Sequence, residues 1–271
     1  MDDTYQTYVN RVIQITRPET YRSQLQHIQK SAKFQPQSSE KGWQAAPFPG
    51  YTVITPPWIE DQENTPFYNN LKEYQQQLVE QLDPVSLVPV PPDSFHLTLA
   101  DLIWDSAYRH ANENPEFEGQ LRDRIARILQ QYQPSAVDVS PVRLQLLGLM
   151  VMTRAIGVCL APKDEESYER IVRFRRAIYQ DPGLMALGIE QQYHFTAHVT
   201  LGYFVGIPSD LEPETVGSAD VVPQLSNTLN QLNEQWMEWD SQELLVQRAE
   251  LRKFDDMTRY YREPDWPVLE F

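Results

Sequence analysis

The unit His-x-Thr-Leu occurs twice in this chain, as His96-Leu97-Thr98-Leu99 and as His198-Val199-Thr200-Leu201. Each copy sits in a β-rich run, residues 94–100 and 197–203. Side chains on a strand alternate between faces, so the His and Thr of each copy share one face. The flanking Phe95, Leu97, Leu99, Val199 and Leu201 point the other way, into a core. Two such strands side by side would gather two imidazoles and two hydroxyls in one cleft. One base, one acid and donors for phosphate oxygens suffice for phosphate-ester chemistry without a metal. Thr follows a given His at i+2 by chance roughly one time in twenty. Three of the five histidines here have it, His194-Phe195-Thr196 being the third.

The paired motifs, in their strand contexts, resemble those of the 2H phosphoesterase superfamily, which includes 2′-5′ RNA ligase-like proteins and cyclic nucleotide phosphodiesterases. The resemblance covers roughly residues 50–271 in element order. It implies a metal-independent phosphodiesterase acting on a small cyclic phosphate, such as a nucleoside 2′,3′-cyclic phosphate, by two-histidine acid/base catalysis. RNA 2′-5′ ligase-like end processing and a non-catalytic nucleotide or RNA-end binding module are the alternatives. The motifs stand further apart than in compact members, and about fifty residues precede the first expected strand.

Composition narrows the partners. With 38 acidic against 23 basic side chains the formal net charge is −15. Proteins that bind long nucleic acid usually show a basic face, so a long RNA or DNA is not expected. A small phosphate ester in a locally positive pocket remains open. The 271 residues, 41% of them apolar, support one large domain or two small lobes. No apolar run approaches the roughly 18 residues of a membrane span. The acidic start, Met1-Asp2-Asp3-Thr4, shows no secretory signal. Cys159 is the single cysteine, which excludes an internal disulfide and fits a cytoplasmic location. Its apolar surroundings predict a buried thiol rather than a nucleophile. There is no Gly-rich phosphate loop, no Cys-x-x-Cys pair and no Gly-x-Ser-x-Gly elbow, and no cofactor is expected. The oligomeric state is left open.

Periodicity predicts the elements. Residues 1–48 read as a helical extension, with a helix through Tyr5, Val9, Val12, Ile13 and Ile15 and a second through Tyr21, Leu25 and Ile28. Residues 34–50 read as loop. A strand over 51–55 and a helix over 66–82 lead to the first motif. Next come a helix over 116–132, strands over 136–147 and 153–160, and a helix over 165–179. The second motif strand is expected over 193–205, a helix over 225–239 and a closing strand over 243–254. This order predicts a two-lobed α+β fold over 49–271, with antiparallel sheets lining a central cleft and helices outside.

His96 and His198 are the expected catalytic pair, because histidine titrates near neutrality. Thr98 and Thr200 are the expected phosphate-oxygen donors. On one continuous strand His194, Thr196, His198 and Thr200 would share a face, making His194 and Thr196 candidate substrate contacts. His194-x-x-x-His198 has the spacing of a helical zinc pair, but Phe195 stands where a Glu is needed and the segment is β-rich, so no metal is expected. Tyr203, Tyr260, Tyr261 and Trp104 are candidate aromatic contacts. Arg143, Arg154, Arg252 and Arg262 are candidate sources of local positive charge. His27 and His110 read as surface residues.

Overall fold

The computed structural model describes residues 3–38, 42–82, 87–132, 141–206, 221–240 and 242–271. Among them the helices are α1 (Tyr5–Ile15), α2 (Pro18–Leu25), α3 (Thr65–Gln81), α4 (Asp105–Ala111), α5 (Phe117–Gln131), α6 (Glu165–Tyr179), α7 (Pro182–Ala186) and α8 (Val221–Met237). The strands are β1 (Phe34–Pro36), β2 (Trp43–Ala45), β3 (Gly50–Ile54), β4 (Leu87–Pro89), β5 (Thr98–Trp104), β6 (Val142–Val151), β7 (Ala155–Pro162), β8 (His198–Phe204), β9 (Glu243–Val246), β10 (Arg248–Asp256), β11 (Arg259–Tyr261) and β12 (Val268–Glu270). No helix of the described residues is long and apolar enough to cross a membrane.

The result is the two-lobed α+β architecture. One antiparallel sheet has the order β11-β10-β3-β5, with β12 also on β10. The other is also antiparallel, in the order β4-β8-β7-β6-β9. Each motif strand pairs with the strand that lies before a long helix: β5 with β3, which precedes α3, and β8 with β7, which precedes α6. The motif strands therefore belong to different sheets and face each other, rather than lying side by side.

The helices form where the apolar spacing lies at 3.6. In α6 the Asp164 carboxylate caps the first turn by accepting from the Ser167 amide at 2.7 Å, and Tyr168, Ile171, Val172 and Ile178 are all buried. In α3, Pro66 sits in the first turn, where its missing N–H costs nothing, and Phe67, Leu71, Tyr74 and Leu78 turn inward. At α3 the buried Gln75 amide donates to both Val90 O and Leu201 O, each at 2.7 Å. It thereby ties the run before the first motif to the end of the second.

Three expectations need correction, and a fourth is only partly described. Residues 34–50 are not all loop, because β1 and β2 pair there as a short hairpin. The first five residues of the strand expected over 136–147 lie outside the described residues. The second motif strand starts at His198, not at 193. The closing strand is two strands: β9 ends on one sheet, Gln247 turns the chain, and β10 begins on the other.

The N-terminal segment packs into the core. Tyr8, Val12, Tyr21 and Leu25 are buried. The Tyr8 hydroxyl donates to Leu160 O at 3.1 Å and accepts from the Ala197 amide at 3.3 Å. The Ser31 amide donates to Phe204 O at 2.7 Å, at the far end of β8.

Candidate functional site

Both motifs approach the cleft as extended runs held by neighbouring backbone. Ahead of β5, Thr55 N donates to Leu97 O and Leu97 N to Thr55 Oγ1, both at 2.9 Å. Trp58 N donates to Phe95 O at 2.8 Å. Ahead of β8, Leu160 N donates to Ala197 O at 2.9 Å, and Arg11 of α1 donates to Phe195 O at 2.6 Å and Thr196 Oγ1 at 2.7 Å. In both runs the odd-numbered apolar residues are buried and the motif residues half-exposed.

The two histidines are held alike. His96 Nδ1 lies 2.7 Å from Ser94 O, and His198 Nδ1 lies 2.8 Å from Thr196 O. A carbonyl can only accept, so Nδ1 carries the proton in each ring, and the neutral form leaves Nε2 as a free acceptor. His96, Thr98, His198 and Thr200 line one cleft of about 600 Å³.

Strand irregularities decide what else lines it. The β3–β5 register shifts between Tyr51 and Thr52 and again between Val53 and Ile54. Half-exposed positions in β5 therefore recur at every third residue, Thr98, Asp101 and Trp104, with buried pairs between. In β8 the register shifts opposite Ile156 and Gly157, and the cleft residue after Thr200 is again three further on, Tyr203. Gly157 is required here: a Cβ would stand 2.4 Å from Val199 O. Asp101 and Tyr203 thus occupy matching places in the two halves.

The surroundings of the two rings differ. Tyr260 covers His96, their ring centroids 4.2 Å apart. Burial, with added repulsion from His198 and Arg252, lowers the His96 pKa to about 4. Asp101 is pushed above the usual carboxylate range by burial and pulled back by the charges of His198, Arg175 and Lys33.

The other candidates scatter. Tyr260 and Tyr203 line the cleft, their hydroxyls directed at the Met257 sulfur at 3.7 and 3.3 Å. Trp104 lines it too, stacked on Tyr193 at 6.4 Å. Arg154 stands at its exposed edge, bonded to Gln29 at 3.0 Å. Tyr261 lies beyond Tyr260 in an outer groove, its hydroxyl 3.3 Å from the Asp255 carboxylate. Arg262 is in that groove, donating to Trp266 O at 2.7 Å. Arg143 is outside the cleft, paired at 2.7 Å with Glu243. Arg252 is 1% exposed and held between Glu60 and Glu250, so it adds little free positive charge. His194 is exposed, in the run before β8 rather than on it, and Thr196 is taken up by Arg11; both line an adjoining groove that also reaches His198 and Thr98. Among the described residues no group of three His, Cys, Asp or Glu could hold a metal ion.

Three residues escaped the sequence reading. Asp101 is hidden by the bulges. Lys33 comes from the N-terminal segment, with no local pattern to mark it. Arg175, buried on α6, donates to Leu99 O of the first motif at 2.6 Å and to Tyr193 O, before the second, at 3.1 Å. Arg175 spans the two halves.

No family model and no curated sequence matches this chain. Among solved structures, the conserved protein of unknown function ATU0111 from Agrobacterium tumefaciens str. C58 is similar over 90% of this chain and 96% of its own, at 16% identity and a TM-score of 0.60. It shares the fold. E. coli LigT complexed with 3′-AMP is similar at 13% identity and a TM-score of 0.42, over 83% of this chain and 98% of its own. Kluyveromyces marxianus Usb1 with uridine monophosphate stands at 10% and 0.42, over 83% and 97%. This chain has a two-lobed α+β fold, shared with that Agrobacterium protein, and its two His-x-Thr-Leu motifs face one cleft.

Proposed function

We propose that the protein is a metal-independent phosphodiesterase that hydrolyses a small cyclic phosphate, with a nucleoside 2′,3′-cyclic phosphate as the model substrate. One observation carries it: two histidines from different sheets, each with Nδ1 fixed on its own i−2 carbonyl, line one cleft together with Thr98 and Thr200.

Water attacks phosphorus in line with the departing sugar oxygen. The attacking water gives its proton to His96 Nε2, the P–O bond to the sugar breaks, and His198 protonates the oxygen that leaves. Thr98 and Thr200 donate to the non-bridging oxygens as charge builds there. The product is a phosphomonoester, and solvent returns the proton from His96 to His198. The base is His96 because burial keeps it neutral. A bound phosphate anion opposes that burial and draws its proton affinity back toward neutrality. The acid is His198, which interacts electrostatically with the Asp101 carboxylate. The acidic surface favours a small substrate over long RNA, and the lone buried thiol fits a cytoplasmic setting.

The test is turnover of a panel of 2′,3′-cyclic nucleotides and ADP-ribose 1″,2″-cyclic phosphate with EDTA present. Conversion to monophosphates, undiminished by the chelator, is expected. Tight binding without turnover would make this a binding module, and activity restored by zinc or magnesium would overturn the metal-free mechanism.

A further inference from the structure

Among the described residues, Lys33 is the one lysine lining the cleft. Its backbone is pinned on both sides: its amide donates to Ser31 Oγ at 3.2 Å, and its carbonyl accepts from the Ala46 amide at 2.9 Å. Ser31 is in turn tied to the end of β8. The ammonium stands over the rings of Phe48 at 4.6 Å and Tyr203 at 5.0 Å. Its one side-chain hydrogen bond among the described residues goes to the Tyr203 hydroxyl at 3.5 Å. That phenol also interacts with the Thr200 side chain. An ammonium has three donors, so at least two are left for a ligand. Ring faces steady a cation without neutralising it.

We infer that Lys33 binds the substrate's phosphate beside Thr200, so that the segment before residue 49 completes the active site. This rests on the phosphodiesterase proposal for its substrate, but not for its binding test. The groups facing Lys33 are Asp101 on β5, Arg154 between β6 and β7, and Tyr203 on β8. Burial is the main influence and lowers its pKa to about 8, against an upward pull from Asp101 and a further downward push from Arg154. The ammonium is therefore charged below about pH 8 and lost above it, so affinity for an anion falls as pH rises through that value.

The experiment compares the full-length protein with Lys33→Met and Lys33→Arg, and with Lys163→Met as a surface control. KM and kcat are measured on the cyclic nucleotide turned over fastest. Separately, inorganic phosphate and adenosine 3′-monophosphate are titrated in by calorimetry. One charged hydrogen bond corresponds to roughly ten- to hundredfold in affinity. Lys33→Met should raise KM and weaken both titrated anions by that factor, leave kcat within about threefold, and abolish the rise of KM above pH 8. Lys33→Arg should recover most of the loss. A Lys33→Met protein with wild-type KM and Kd overturns the inference. So does a loss confined to kcat, or one that Lys33→Arg fails to rescue. If the wild type turns over nothing, the enzymatic proposal fails alone, and the phosphate titration still decides on Lys33.

Discussion

The two motif-bearing halves make an informative comparison. Each offers a histidine anchored on its i−2 carbonyl, a threonine two residues on, and a cleft residue three beyond that threonine. That last place holds Asp101 in one half and Tyr203 in the other. His96 lies under Tyr260 and is held neutral, while His198 interacts with Asp101. A near-symmetric frame fixes where the rings sit, and the neighbours of the two rings are asymmetric. Geometry is shared between the halves, and electrostatics are not.

The largest break in that comparison is removal of a ring. His96→Ala and His198→Ala should each lower kcat by roughly 10²–10⁴, the usual contribution of a positioned base or acid. The double variant should lose far less than the product, since both act in one step. A strictly multiplicative double variant would separate the two halves into independent functions.

Arg175→Met attacks the join between the halves. It removes two hydrogen bonds from a buried guanidinium and leaves Leu99 O and Tyr193 O without it. A loss of about 2–4 kcal/mol is expected in denaturant unfolding. A change below about 0.5 kcal/mol would mean the motifs are held without it.

Asp101→Asn and Tyr203→Phe sharpen the asymmetry. Asp101→Asn should cost about tenfold in kcat, through loss of the carboxylate that interacts with His198. Tyr203→Phe, which removes no charge, should cost less. Equal effects would contradict the division of roles.

His96 makes its own contribution to the pH dependence of stability. Its folded pKa is lowered, so the unfolded chain takes a proton that the native state refuses. That contribution is whole above about pH 6.5 and declines as pH falls toward 4, by at most about 1.4 kcal/mol per pH unit. His96→Asn should flatten that slope in urea titrations. The smallest effects belong outside the cleft: Arg143→Ala should shift stability by less than about 0.5 kcal/mol, and His194→Ala should leave kcat within about twofold.

Much of this was legible in the chain. The 3.6 period placed α3, α5 and α6 to within a residue or two, and the repeated His-x-Thr led to the expectation of one shared cleft, which both motifs line. What escaped has physical causes. A bulge changes the facing period from two to three, hiding Asp101 behind Thr98. A single residue, Gln247, separates two strands of different sheets, and no turn residue announces it. Lys33 and Arg175 act over large sequence separations, and a lone basic side chain carries no local pattern. The outer places of Arg143 and Tyr261 follow from sheet order, which periodicity does not encode.

The chain visits one sheet at β3, the other at β4, the first again at β5, the second from β6 to β9, and the first once more at β10. Neither lobe is a continuous stretch of sequence, so neither can be excised as a fragment or shed by a single proteolytic cut. With Gln247 as the only link between β9 and β10, melting one sheet pulls directly on the other. Loss of either half is therefore loss of both, and the protein should unfold in one cooperative transition.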